Sequence, residues 1–216
     1  MNNTAMSNQA MPPMELRTHP VGNAQMNAYA LICPQTNISV LIDPGAEPEE
    51  LTKLLAGSKP AAILITHTHG DHVGALETMR QQLQVPVYSA GEPHANDLKF
   101  HTDRVLQAGD EFGVGSYTLR VYETPGHCID QIAFEVVGTP TMIVGDTIFA
   151  GGPGRTRNNA DFKTTLQTLQ NVVLKWPDAS VCYPGHGPHF RLGDVRAAIT
   201  AFVARDHGDF SGDATW

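Results

Sequence analysis

The sequence predicts an α/β protein in which two sheets pack face to face with helices on the outside. Two observations carry that prediction. Short apolar runs, each stopped by Gly, Pro or Asp, alternate with amphipathic stretches of helical period. The succession of strands followed by helices then occurs twice, with no linker or low-complexity break between the halves.

Taken in order, "MNAYALIC" and "NISVLID" are separated by "PQTN" and read as a hairpin. "PEELTKLLAG" follows as a short helix ended by Gly57. "AAILI" is a buried strand, and the spacing of Val73, Leu76, Met79 and Leu83 predicts a helix from about Asp71 or His72. In the second half "YTLRVYE", "QIAFEVV" and "TMIVG" are strands, and "DFKTTLQTLQNVVLKW" is a helix. "SVCY" is a further strand and "DVRAAITAFVAR" a last helix. The closing "DHGDFSGDATW" reads as a short tail whose Trp216 either packs back on the body or is mobile.

A chain of 216 residues can bury one large core, which predicts one domain over 14–216 behind a flexible tail over 1–13. That tail lacks the basic start and apolar stretch of a signal peptide. No run approaches the ~20 apolar residues of a membrane span, so no membrane partner is expected. A net charge of −8 would repel a phosphate backbone, which argues against nucleic acid. Cys33, Cys128 and Cys182 form no C-x-x-C pair and read as small core residues of a reducing compartment, so the expected location is cytoplasmic.

The chemistry concentrates in "THTHGDHVG", residues 66–74, where His67, His69, Asp71 and His72 fall within six positions. Packing so many readily protonated groups together is unfavourable without a cation. His127 follows "LRVYETPG", Asp146 follows "MIVG" and His186 follows "VCYPG", so each candidate stands just after a strand and a turn. Loops at the carboxyl ends of strands converge, which brings these residues to one end of the sandwich. His67 and His69 can chelate one ion, while Gly70 turns the chain so that Asp71 and His72 aim at a second. Adding His127 to the first pair and His186 to the second gives three ligands each, and Asp146 can bridge through its two oxygens. His19, His94, His101, His189 and His207 stand alone and read as solvated or satisfied histidines. Asp43, in "IDPGA", either caps its turn or orients a metal-bound histidine from behind.

"THTHGDH", "TPGH", "GDTIF" and "YPGHG", in this order, resemble the motifs of the metallo-β-lactamase fold superfamily. The resemblance covers the chain from about Met14 and implies an αββα four-layer sandwich of two mixed sheets with a dinuclear site at one edge. It implies the same grouping: His67, His69 and His127 on one metal, Asp71, His72 and His186 on the other, Asp146 between. Asp146 is similar to glyoxalase II and differs from the cysteine of one major class of β-lactamases, which disfavours antibiotic hydrolysis. "GDTIFAGGPGRT" is similar to the glyoxalase II segment that binds glutathione, which aligns Arg155 with a substrate-binding residue. As a lone loop residue Arg155 is equally a solvated arginine. Pro153 stands where a cysteine is usual, "HCIDQ" replaces a small-residue turn, and the helical domain that completes the glutathione site is missing. The resemblance is thus to short glyoxalase II-like hydrolases without that domain.

The expected cofactors are two divalent transition-metal ions, zinc first and iron or manganese as alternatives. The expected reaction is attack of a metal-bridging hydroxide on an anionic small-molecule thioester, with Asp71 or Asp146 orienting the nucleophile. The alternatives are hydrolysis of a lactone or other ester, and a mononuclear-iron persulfide dioxygenase using His67, His127 and Asp146, a 2-His-1-carboxylate set.

Overall fold

Side-chain alternation along the strands assigns each residue to a layer. The computed structural model describes residues 12–91 and 102–216. The first sheet runs β1 (Glu15–Val21), β2 (Met26–Ile32), β3 (Ile38–Ile42), β4 (Lys59–Leu64), β5 (Val87–Ser89) and β6 (Arg104–Val105), in that spatial order. β1 to β3 are antiparallel neighbours, and β3 to β6 are parallel. In β2, Ala28, Ala30 and Ile32 face an outer cluster while Tyr29 and Leu31 face the interior between the sheets. The outer cluster is closed by α1 (Pro48–Leu54), α2 (Gly70–Val73) and α3 (Leu76–Leu83), through Leu51, Val73, Leu76 and Met79.

The second sheet begins with β7 (Glu111–Val114), β8 (Tyr117–Glu123), β9 (Ile132–Val136) and β10 (Thr141–Gly145). A small ribbon of β11 (Ile148–Phe149) and β12 (Gly152–Pro153) follows, then α4 (Asn159–Asn171), β13 (Val181–Pro184), β14 (Phe190–Arg191) and α5 (Leu192–Ala204). Its order is β14-β13-β10-β9-β8-β7, with β10 and β13 the parallel pair, so both sheets are mixed. Leu119, Val121, Phe134 and Ile143 meet the interior face of the first sheet. Met142, Val144 and Cys182 point the other way, onto Phe162 and Leu169 of α4 and Ile199 and Phe202 of α5. The four layers are thus α, β, β, α.

Two departures from the expected elements are seen. The single helix expected from Asp71 is two, α2 and α3, because at Ala75 the backbone leaves the helical conformation and its N–H donates to the Pro44 carbonyl at 2.9 Å instead of continuing the helix. β1, β5, β6, β7, β14 and the short ribbon were not expected at all. Of the two alternatives for the final segment, the structure shows the one packed on the body. Thr156 bridges to Gly212, Asn159 donates to the carbonyls of Gly208 and Phe210, and the Trp216 indole donates to the Ala150 carbonyl at 2.9 Å. Residues 1–11 of the expected tail lie outside the described residues. Among the described residues no helix is long and apolar enough to cross a membrane.

Candidate metal centre

The carboxyl ends of β4 and β10, with the loops after β8 and β13, deliver seven side chains to one edge of the sandwich. His67 Nε2 and His127 Nε2 lie 3.0 and 2.9 Å from His69 Nδ1. Asp71, His72 and His186 form a neighbouring group, with His186 Nε2 at 3.2 Å from Asp71 Oδ2. Asp146 stands between. Its Oδ2 is 3.5 Å from His127 Nε2 and 3.6 Å from His186 Nε2, and its Oδ1 is 3.6 Å from His72 Nε2. All seven residues singled out from the sequence come together in this way.

Glycine makes the closeness possible. A Cβ on Gly185 would come within 2.2 Å of Asp146 Oδ1 and 2.6 Å of the His72 ring. Any larger residue there would displace both side chains.

The outer nitrogens of the rings fix which inner atoms carry lone pairs. His127 Nδ1 donates to the Arg155 carbonyl at 2.7 Å, His186 Nδ1 to the Ala24 carbonyl at 3.1 Å, and His72 Nδ1 to Asp43 Oδ2 at 2.9 Å. Each neutral ring therefore turns an unprotonated Nε2 inward, as metal-binding histidines do. Those lone pairs face each other and the carboxylate oxygens. His72 Nε2 and Asp146 Oδ1 are buried without any hydrogen-bond partner. Burying two acceptors against each other costs free energy that a shared cation reverses. The imidazole and carboxylate donors suit zinc or a similar borderline ion, so the residues present fit the expected group.

The electrostatics agree. Burial, then the neighbouring imidazoles, hold His67 well below its ordinary value, and burial lowers His127. Burial would lower His72 too, but the Asp43 carboxylate outweighs it and pushes the group up to about 9. The hydrogen bond between His186 and Asp71 raises the histidine and lowers the carboxyl to about 2. The carboxylates thus favour a proton on His72 and His186, which a cation would replace.

Asp43 stands behind the centre, not in a bare turn. It adopts a left-handed φ of 54°, and its Oδ1 accepts from Thr66 N at 2.8 Å. Its Oδ2 accepts from Thr66 Oγ1 at 2.6 Å as well as from His72, so one buried carboxylate orients a histidine and the strand end that carries His67.

Residues 22–186 match the family model of the Metallo-beta-lactamase superfamily. The chain belongs to this superfamily. Among its curated members the chain is 30% identical over 198 residues to the probable metallo-hydrolase YqgX of Bacillus subtilis, covering 81% of this chain and 91% of that protein. It is 34% identical over 176 residues to a hydroxyacylglutathione hydrolase of Rhodopseudomonas palustris, with 79% of this chain matched. The chain spans 65% of that relative's length. Among solved structures, the BLEG-1 B3 metallo-beta-lactamase superposes with a TM-score of 0.76 at 27% identity, covering 88% of this chain and 100% of that one.

A cleft of about 640 Å³ opens over the first donor group, lined by His69, His127, Arg155, Arg157, Ser211 and Gly212 among others. The Arg155 guanidinium is exposed at its rim, 3.8 Å from Asp213. Arg157, which the sequence did not single out, reaches deeper, with Nη2 3.3 Å from His69 Nε2. Cys128 also lies closer to the centre than a core residue would, its Sγ 3.9 Å from His69 Nε2. Asp130 was missed as well; its Oδ2 accepts from Thr68 N at 3.1 Å and Thr68 Oγ1 at 2.6 Å. Of the lone histidines, His189 stacks on Tyr183 and His207 meets the Phe202 carbonyl at 2.7 Å, both away from the centre. His19 lies on β1, and His94 and His101 fall outside the described residues.

Proposed function

We propose that this chain is a dinuclear metal-dependent hydrolase that cleaves a small anionic thioester. The observation that carries the reading is the convergence of inward lone pairs on two three-residue groups with Asp146 shared between them. Two divalent ions, zinc by preference with iron or manganese as alternatives, would be held by His67, His69, His127 and by Asp71, His72, His186. When bound, they supply Lewis acidity and an activated water at neutral pH.

The remaining work falls to the chain. Asp146 keeps the two groups in register, and Asp71, held as a carboxylate, accepts a hydrogen bond from the attacking water and aligns it. Outer hydrogen bonds from three histidine rings to fixed oxygens keep the donors from turning as charge moves. Arg155 and Arg157 give the cleft a cationic wall suited to a substrate carboxylate. The name hydroxyacylglutathione hydrolase, borne by matched relatives, describes an acylated glutathione of that anionic kind.

A second reading rests on a pairwise closeness. His127 Nε2 lies 3.5 Å from Asp146 Oδ2, and His67 shares a donor group with each of them, so the three would make a 2-His-1-carboxylate set suited to a single ferrous ion oxidising a persulfide. A panel containing S-lactoylglutathione, simple thioesters, lactones, a β-lactam and glutathione persulfide, run with Zn-, Mn- and Fe-loaded protein, separates the readings. The expected result is thioester hydrolysis by protein carrying close to two ions, abolished by chelation. Oxygen uptake on the persulfide with one iron, or a β-lactam as the favoured substrate, overturns the proposal.

A further inference from the structure

Asp130 is a buried carboxylate, 9% exposed, in the stretch "HCIDQ" that follows His127. Its Oδ2 takes both donors of Thr68, the residue between His67 and His69. Its Oδ1 is buried and meets no hydrogen-bond geometry, with the Cys128 thiol the group that interacts with this side chain. An asparagine could accept the same two bonds from Thr68 without bringing a charge into a dry site, so hydrogen bonding alone does not account for aspartate here. An ionised carboxylate so placed costs several kcal/mol unless positive charge lies near. The chain supplies no ion pair to it among the described residues.

The rest of the site shows where that positive charge belongs. Two divalent ions would meet only two ligand carboxylates, Asp71 and Asp146, which offset half their charge. Asp43 stands behind the second donor group, on His72 Nδ1. Asp130 is tied to the chelating loop of the first group through Thr68 and to the His127 loop by its own backbone. Asp43 and Asp130 together would offset the charge that the ligand carboxylates and a bridging hydroxide leave.

Resting on the dinuclear reading, we propose that Asp130 is a positioning residue whose negative charge stabilises the cation held by His67, His69 and His127. It is the counterpart of Asp43 on the other side of the centre. Its carboxylate acts through the field and through Thr68, without touching the ion.

The test measures zinc affinity by competition with a chromophoric chelator, in a His186→Ala background where only the first donor group is complete. Asp130→Asn keeps the shape and the acceptor while removing the charge. It is expected to weaken the remaining site by about 10–100-fold. In a His69→Ala background, where only the second group is complete, the same change is expected to shift affinity less than about threefold. Thr68→Val, which keeps the charge but removes one hydrogen bond, is expected to leave first-group affinity within about threefold of the parent. Unchanged affinity in Asp130→Asn, equal losses at both groups, or a Thr68→Val loss as large as that of Asp130→Asn overturns the charge role. If circular dichroism shows Asp130→Asn unfolded without metal, the Thr68→Val result alone decides. A parent chain that binds no zinc in either background refutes the dinuclear reading instead.

Discussion

The two donor groups share an edge of the molecule and differ in almost everything else. The first is three imidazoles, of which His69 and His127 line the cleft and His67 is buried behind them, and the second mixes imidazole with the exposed Asp71 carboxylate. Burial drives the protonation of the first group down, at His67 and His127, whereas carboxylates drive that of the second up, at His72 and His186. The difference teaches that one group is prepared for a cation by dehydration and the other by negative charge.

The largest expected effect breaks the link between the groups. Asp146→Ala removes the one side chain that reaches both, with Oδ2 toward His127 and His186 and Oδ1 toward His72. Turnover is expected to fall roughly 10³-fold, the rate equivalent of about 4 kcal/mol. Elemental analysis is expected to show metal lost from both groups. Two tightly held ions in Asp146→Ala would mean that the groups are independent, and the comparison above would lose its bridge.

How much of this was legible follows the range of the interactions. "THTHGDH" could be read because its ligands are neighbours in sequence, and His127, Asp146 and His186 because each follows a recognisable strand and turn. The central strands showed their apolar runs. β1 did not, because "ELRTHPV" is an edge strand with polar residues on its open face, and β6 is only two residues long. Asp130 and Thr68 are 62 positions apart and meet only through tertiary packing, so neither drew attention as a pair. Arg157 drew no reading from the sequence, since only the fold sets it against His69. Asp43 was ambiguous for the same reason, since a turn cap and a histidine partner look alike until His72 is placed.

A smaller effect sharpens the assignment of the cleft to the first group. Arg155→Ala is expected to raise KM for an anionic thioester by the equivalent of a charge-assisted hydrogen bond, about 1.5–3 kcal/mol. Turnover is expected to change less, because the contact is made in ground and transition states alike. A neutral thioester of similar size is expected to be indifferent. Arg157→Ala provides the comparison within the cleft, since its guanidinium lies nearer His69 than the exposed Arg155 rim does. If neither change separates charged from neutral substrates, the cleft does not read an anion.

The smallest effect is a count of protons. Without metal, His72, pushed up to about 9, carries a proton at pH 7, and His186 is raised in the same direction. A cation entering the second group must expel what those rings hold, because a metal-bound imidazole nitrogen cannot keep its proton. His67 and His127 are lowered, so these two rings of the first group have little proton to release at pH 7. The sign follows: the second group meets proton competition as pH falls below about 9, whereas His67 and His127 of the first group meet it only below the ordinary histidine range. Calorimetry of zinc binding in two buffers of different ionisation enthalpy reads the release directly. It is expected to assign one to two protons to the His69→Ala protein, where the second group alone is complete, and close to none to His186→Ala. Equal release from both would show that the groups are prepared for their ions in the same way, and the contrast between dehydration and charge would fail.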